Sequence, residues 1–180
     1  MAKRENIWNA PNILTMLRMA LIGVFIWQFV QGHMYWAMTI FIVAGITDFL
    51  DGYLARKYQL VTSFGKLMDP LADKLMLVTA LSCLTAAGLV PLWVVIVVVC
   101  KELLMVIGGY ILLRRGVVVQ AKLIGKVATV VFIVAVVATF LHEFIDPWQT
   151  VLQYIAVALS ICSMLWYFFQ TVKAYREQKA

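Results

Sequence analysis

Between Asp48 and Lys74 the run DFLDGYLARKYQLVTSFGKLMDPLADK holds four aspartates, in a chain with only nine acidic residues. Asp48, Asp51 and Ala55 are spaced i, i+3, i+7 and share one helix face with Gly52. Asp69 and Asp73 are spaced i, i+4 and share a face of the next helix. Two adjacent antiparallel helices would therefore converge four carboxylates, and four such charges cannot coexist unpaired in an apolar surround. Two divalent cations would balance them formally. Hard oxygen ligands without His or Cys favour Mg²⁺, Mn²⁺ or Ca²⁺ over zinc. A pair of such ions suits phosphoryl-type transfer, in which both the attacking and the leaving oxygen need stabilising. Gly52 and Ala55 leave the carboxylate face open, Gly65 permits close approach, and Arg56 brings a planar fork suited to phosphate. The plainer reading is a set of ion pairs between helices, with Arg56, Lys66 and Lys74 as the cations.

The elements that must position these residues are apolar helices. Of the 180 residues 64% are hydrophobic and only 13% charged, against about a quarter charged in a soluble domain. Six segments are long and apolar, about Ile13–Val30, Met34–Tyr53, Leu67–Ala87, Leu92–Leu113, Ile124–Leu141 and Trp148–Val172. They approach or exceed the ~20 residues that cross a bilayer and do not alternate as barrel strands do. The expected fold is an all-α integral membrane protein of six transmembrane helices, in a single domain over 1–180. The second and third helices can extend into the polar stretch. Lys3, Arg4 and Glu5 precede an apolar run with no small-residue cleavage site after it, so the first segment is expected to remain.

Loop charge sets the orientation. Lys3, Arg4, Arg56, Lys57, Lys66, Arg114, Arg115, Lys122, Lys173, Arg176 and Lys179 fall at the termini and in alternate loops. The loops near Gln31–His33, Ala86–Pro91 and His142–Pro147 hold no Lys or Arg. Both termini and the basic loops are thus predicted to be cytoplasmic. The net charge of +6 is explained by this topology and not by nucleic acid. Asp48 lies eight residues before Arg56, about 12 Å along a helix, which places the aspartates in the cytoplasmic leaflet. Cys83, Cys100 and Cys162 lie at no metal-like spacing and read as small core residues.

The aspartate run resembles the signature of the CDP-alcohol phosphotransferase family. Asp48, Asp51, Gly52, Ala55, Arg56, Gly65, Asp69 and Asp73 match all eight fixed positions of that signature, with its spacings. The family architecture of six membrane helices with cytoplasmic termini covers nearly the whole chain. The resemblance implies transfer of a substituted phosphate from a CDP-linked donor to an alcohol, with release of CMP. It implies that Asp48, Asp51 and Asp69 bind two divalent cations, Mg²⁺ or Mn²⁺. Asp73 would help bind metal and act as the general base. Gly52, Ala55 and Gly65 would line the cytidine site, and Arg56 would hold donor phosphate. The family is typically homodimeric.

The stretches APNILTMLRMALI and SFGKLMDPLADKLM further resemble the bacterial phosphatidylglycerophosphate synthase branch. That branch takes CDP-diacylglycerol and glycerol 3-phosphate, at the cell membrane with the site facing the cytoplasm. Arg114, Arg115, Lys122 and Lys126 would bind the acceptor phosphate. The bland reading of these cations is positive-inside topology and attraction to anionic membrane lipids. Many relatives carry Arg-Glu in segment four where this chain has Lys101-Glu102, and Lys and Gln where it has Ala128 and Phe132. Another acceptor, phosphatidylglycerol or an inositol phosphate, is the alternative. Adjacent helix residues do not face each other, so Lys101 and Glu102 should each need a partner elsewhere, across helices or in the acceptor pocket. Arg18 should snorkel to the interface or pair with substrate phosphate. Gly108-Gly109 should permit close helix packing. A cation transporter and a non-catalytic scaffold are the competing classes. The transporter is disfavoured by carboxylates confined to one leaflet and by the lack of an inverted repeat.

Overall fold

A computed structural model gives the structure, which describes residues 9–58, 62–114 and 123–179. Seven helices follow one another, and there is no strand among the described residues. They are α1 (Ala10–Val30), α2 (Met34–Lys57), α3 (Ser63–Ala86), α4 (Leu92–Arg114), α5 (Leu123–Phe140), α6 (His142–Ile145) and α7 (Trp148–Lys179). All but the one-turn α6 correspond to a predicted segment. α2, α3 and α7 run past the apolar stretch into polar sequence, since a helix leaving lipid needs no apolar side chains to keep its backbone bonds. Four helices are long and apolar enough to cross a membrane, over Pro11–Val30, Met34–Tyr53, Leu92–Gly109 and Trp148–Gln170. α3 misses that measure because Lys66, Asp69, Asp73 and Lys74 crowd its first half. α5 offers a shorter apolar stretch, Val127–Phe140.

The chain divides into two compact units, Met1–Cys83 and Leu84–Ala180. In the first, α1 and α2 form an antiparallel pair. Asn9 caps α1 by accepting a hydrogen bond from the Asn12 amide at 3.0 Å, and Pro11 sits in the first turn, where its missing N–H costs nothing. α1 ends in a Schellman turn. The His33 amide bonds the Gln28 carbonyl at 3.0 Å and the Gly32 amide bonds the Phe29 carbonyl at 3.0 Å. Gly32 takes φ 80°, which a side chain would resist. The α2 residues Ala37, Phe41 and Ala44 are buried at spacings of four and three, a narrow seam of the kind that packs two helices closely. Phe25 of α1, and Ala72, Met76, Ala80 and Leu81 of α3, are buried as well.

In the second unit α7 packs against α5 and α4. α3 enters it through another Schellman turn, with Leu89 N bonded to Leu84 O at 3.0 Å and Gly88 at φ 76°. Trp93 stacks on Tyr154 at 5.8 Å. Buried Gln153 donates to the Thr139 hydroxyl at 2.9 Å and to the Leu89 carbonyl at 3.1 Å, which ties α7 to α5 and to the turn before α4. The expected close packing at Gly108-Gly109 is not found. A Cβ at either would meet nothing within 4 Å. Ala128 and Phe132 are core residues of α5, 5% and 6% exposed.

The two turn glycines differ in kind from the helical Gly45, although a Cβ would meet nothing within 4 Å at any of the three. Gly32→Ala and Gly88→Ala should each cost about 1–2 kcal/mol through backbone strain alone. Gly45→Ala should be neutral or stabilising by up to ~1 kcal/mol. Thermal unfolding in detergent micelles checks the contrast.

Candidate active site

Three helix seams turn polar at matched depth in the first unit. On α1, buried Pro11, Thr15 and Arg18 continue through half-buried Ile22 to Phe25, at alternating steps of four and three. On α2, Ala37, Phe41 and Ala44 continue in the same rhythm to Asp48 and Asp51. On α3, Thr62, Gly65, Asp69, Ala72 and Met76 follow the same steps. Because α1 and α2 run antiparallel, the start of α1 lies beside the end of α2. The seam that carries small and aromatic residues at one end therefore carries carboxylates and their partners at the other.

The central contact is a buried ion triplet. Arg18 is 1% exposed. Its Nη1 donates to Asp48 Oδ1 at 2.6 Å, and its Nη2 donates to Asp51 Oδ2. Asp51 is only 2% exposed, whereas the Asp48 side chain is 43% exposed. Arg18 thus does not snorkel. It meets the carboxylates, because the pair lies on the facing seam and a buried carboxylate needs a cation close by. The plainer ion-pair reading is in part realised, with Arg18 as the cation of the first two aspartates.

α3 is fastened to α1 by neutral groups. Thr62 caps α3 by accepting a hydrogen bond from the Gly65 amide at 3.0 Å, and its own hydroxyl donates to Asn12 Oδ1 at 3.1 Å. The Thr15 hydroxyl donates to Asp69 Oδ1 at 2.5 Å. A Cβ on Gly65 would lie 2.8 Å from Asn12 Oδ1, 3.3 Å from Thr62 Oγ1 and 3.6 Å from Asp69 Oδ2. The predicted close approach at Gly65 is therefore present, and α1 makes it. Asp73, 46% exposed at its side chain, has Lys74 Nζ at 3.6 Å, a loose and solvated pair.

The structure brings all four aspartates into one neighbourhood. Asp48 experiences the charges of Asp69 and Asp73, and Asp51 those of Asp48 and Asp69. Among the described residues no group of three or more of them is arranged to hold a metal ion, and Arg18 engages one oxygen of each of the first two. The donor set fits a hard divalent cation nonetheless. It consists of carboxylate oxygens alone, and two of them already accept a cationic partner. Gly52 is half-buried next to Asp51. At Ala55, Arg56, Arg114 and Lys126 only the backbone is described, and Arg115 and Lys122 lie outside the described residues, so the donor-phosphate and acceptor-phosphate expectations fall outside them as well.

Sequence reasoning missed Asn12, Thr15 and Thr62. A signal existed, for Asn12, Thr15 and Arg18 recur every three residues in an otherwise apolar segment. Lys101 and Glu102 also meet each other, Lys101 Nζ lying 2.7 Å from Glu102 Oε1, both largely buried at 18% and 13% exposure. Long side chains can curl together where their Cβ atoms diverge.

Comparison with known proteins identifies the family. Residues 8–162 match the CDP-alcohol phosphatidyltransferase family. The chain is 36% identical, over an alignment of 191 residues, to the CDP-diacylglycerol–glycerol-3-phosphate 3-phosphatidyltransferase of Bacillus subtilis, covering 94% of this chain and 98% of that protein. It is 38% identical to a probable phosphatidylglycerophosphate synthase of Mycobacterium tuberculosis, over 75% of this chain and 67% of the other. It is also 33% identical to a CMP-forming cardiolipin synthase of Streptomyces coelicolor, over 69% of this chain and 61% of that one. With a match across most of its length and the aspartates gathered around α1, the chain belongs to the CDP-alcohol phosphatidyltransferase family.

Proposed function

We propose that this protein transfers a phosphatidyl group from CDP-diacylglycerol to glycerol 3-phosphate, giving phosphatidylglycerophosphate and CMP. The observation that carries this reading is the likeness to the Bacillus subtilis enzyme, which spans nearly all of both chains. The hydroxyl oxygen of the acceptor attacks the phosphatidyl phosphorus, and the bond from that phosphorus to the CMP oxygen breaks. Asp73 takes the hydroxyl proton. Its side chain is nearly half exposed, as a base that meets a mobile acceptor must be. Asp48, Asp51, Asp69 and Asp73 would hold two Mg²⁺ or Mn²⁺ ions, which when bound offset charge on the donor diphosphate and the departing CMP. Gly52, Ala55 and Gly65 would line the cytidine site, and Arg56 would supply a fork for donor phosphate.

The same reading makes the chain a six-span protein of the cell membrane. α3 and α5 supply the remaining spans, and the Lys- and Arg-free outer loops support cytoplasmic termini and a cytoplasm-facing site. Acyl tails of the donor would stay among the membrane lipids, and Arg114, Arg115, Lys122 and Lys126 are the cations offered to the acceptor phosphate. We include a homodimer in the proposal, on family resemblance. Phosphatidylglycerol as acceptor is the second reading, favoured by the likeness to the Streptomyces coelicolor cardiolipin synthase.

Purified protein given CDP-diacylglycerol, Mg²⁺ or Mn²⁺ and one alcohol at a time should release CMP with glycerol 3-phosphate. Release with phosphatidylglycerol alone would move the assignment to the second reading. Asp73→Asn should slow CMP release by about 10²- to 10⁴-fold while CDP-donor binding persists. Near wild-type turnover would remove Asp73 from the base role. Gly65→Ala should lower kcat/KM by roughly tenfold or more, because its Cβ has no room beside Asn12.

A further inference from the structure

We propose that Arg18 is a tethered counter-cation, which occupies the carboxylates of Asp48 and Asp51 in the metal-free protein and must release them when a divalent ion binds. This rests on the reading of the aspartates as a metal site and adds a competitor to it. Arg18 uses one oxygen of each carboxylate, through separate amino groups. Each carboxylate keeps a second oxygen, but a divalent ion held by the pair through any of them would stand close to the guanidinium. Two cations on one carboxylate pair repel strongly at such a distance in a low-dielectric surround. Simultaneous occupation is therefore unfavourable, and the fork must withdraw.

Two further observations point the same way. Arg18 Nε is buried and has no hydrogen-bond partner among the described residues. The guanidinium is thus committed to the carboxylates at one edge and unsatisfied at the other, a poor design for a permanent strut. Asp48 is 43% exposed at its side chain while Asp51 is 2% exposed. An incoming ion can reach the open carboxylate first and displace one amino group before it meets the second. Once two divalent ions balance the four aspartates, the charge of Arg18 is left over for an anionic ligand. In their absence Arg18 keeps Asp51 from being buried as an unpaired charge.

Competition of this kind multiplies the metal affinity by the fraction of molecules whose site is open. If the fork is closed nine-tenths of the time or more, freeing the site should tighten metal binding by about tenfold or more. The probe is Mn²⁺ itself, titrated by calorimetry and by the electron paramagnetic resonance of the free ion into full-length protein in detergent micelles. Arg18→Gln should bind Mn²⁺ about tenfold more tightly than wild type. Without metal it should unfold at a lower temperature, and Mn²⁺ should raise that temperature by more than in wild type. Arg18→Lys keeps the charge and loses the fork, so it should also bind Mn²⁺ more tightly, by a smaller factor.

Unchanged or weaker Mn²⁺ binding in folded Arg18→Gln overturns the proposal. So does tightening in Arg18→Gln with wild-type affinity in Arg18→Lys, which would mark simple charge repulsion without displacement. If Arg18→Gln folds only in Mn²⁺, the placeholder role is supported. If it folds in neither condition, Arg18→Lys decides by the same criterion. A wild-type protein that binds no Mn²⁺ overturns the metal reading and this inference with it. Wild-type binding without tightening in the variants overturns this inference alone.

Discussion

A carboxylate shut between apolar helices cannot stay charged without a cation at hand, and Asp51 is in that position. Its partner comes from the first helix. The Arg18 fork spans from Asp51 to Asp48, so one guanidinium is shared between a carboxylate at the floor of the site and another at its mouth. Everything else in the first unit is arranged so that this contact can form. α1 must arrive antiparallel to α2, with its polar stripe turned inward, and the Gly32 turn delivers it in that sense.

The same packing rhythm serves both the scaffold and the chemistry. Alanines and a phenylalanine let α2 approach α1 at one end, and the next two positions of the same stripe are aspartates. α3 repeats the idea with Thr62, Gly65 and Asp69 ahead of Ala72 and Met76. Side-chain hydroxyls and an amide, instead of further charges, knit α3 to α1. Thr15 holds Asp69, and Asn12 accepts from Thr62 where a Gly65 side chain would otherwise stand. The four carboxylates are consequently unequal. Asp51 is enclosed and Asp69 is tethered by a hydroxyl, while Asp48 and Asp73 keep open faces.

Much of this was legible in the residues alone. The spacing of the aspartates placed them on two helix faces, and the extents of the long helices followed from runs of apolar residues. Spacing cannot say which cation a buried acid chooses, because that depends on which neighbouring stripe faces it. Arg18 lies 30 residues from Asp48 in the chain, beyond the reach of any local spacing rule. The Lys101–Glu102 contact escapes spacing for the opposite reason, since long side chains can meet where their Cβ atoms diverge. Gly108-Gly109 looked like a packing motif, but a small residue permits a close approach without requiring one. Ala128 and Phe132 looked like lost ligands and are core residues.

The polar stripe of α1 has a mechanical side. Asn12, Thr15 and Arg18 each grip a different partner, Thr62, Asp69 and the Asp48–Asp51 pair. A helix that slides by one residue also turns by about 100°, which would carry all three side chains off their partners together. Pro11–Val30 is 20 residues long, close to the ~30 Å of a bilayer's hydrocarbon, so the depth of α1 is also governed by lipid. The vertical setting of one helix is therefore shared between membrane thickness and three polar anchors, and a thickness mismatch loads those anchors directly.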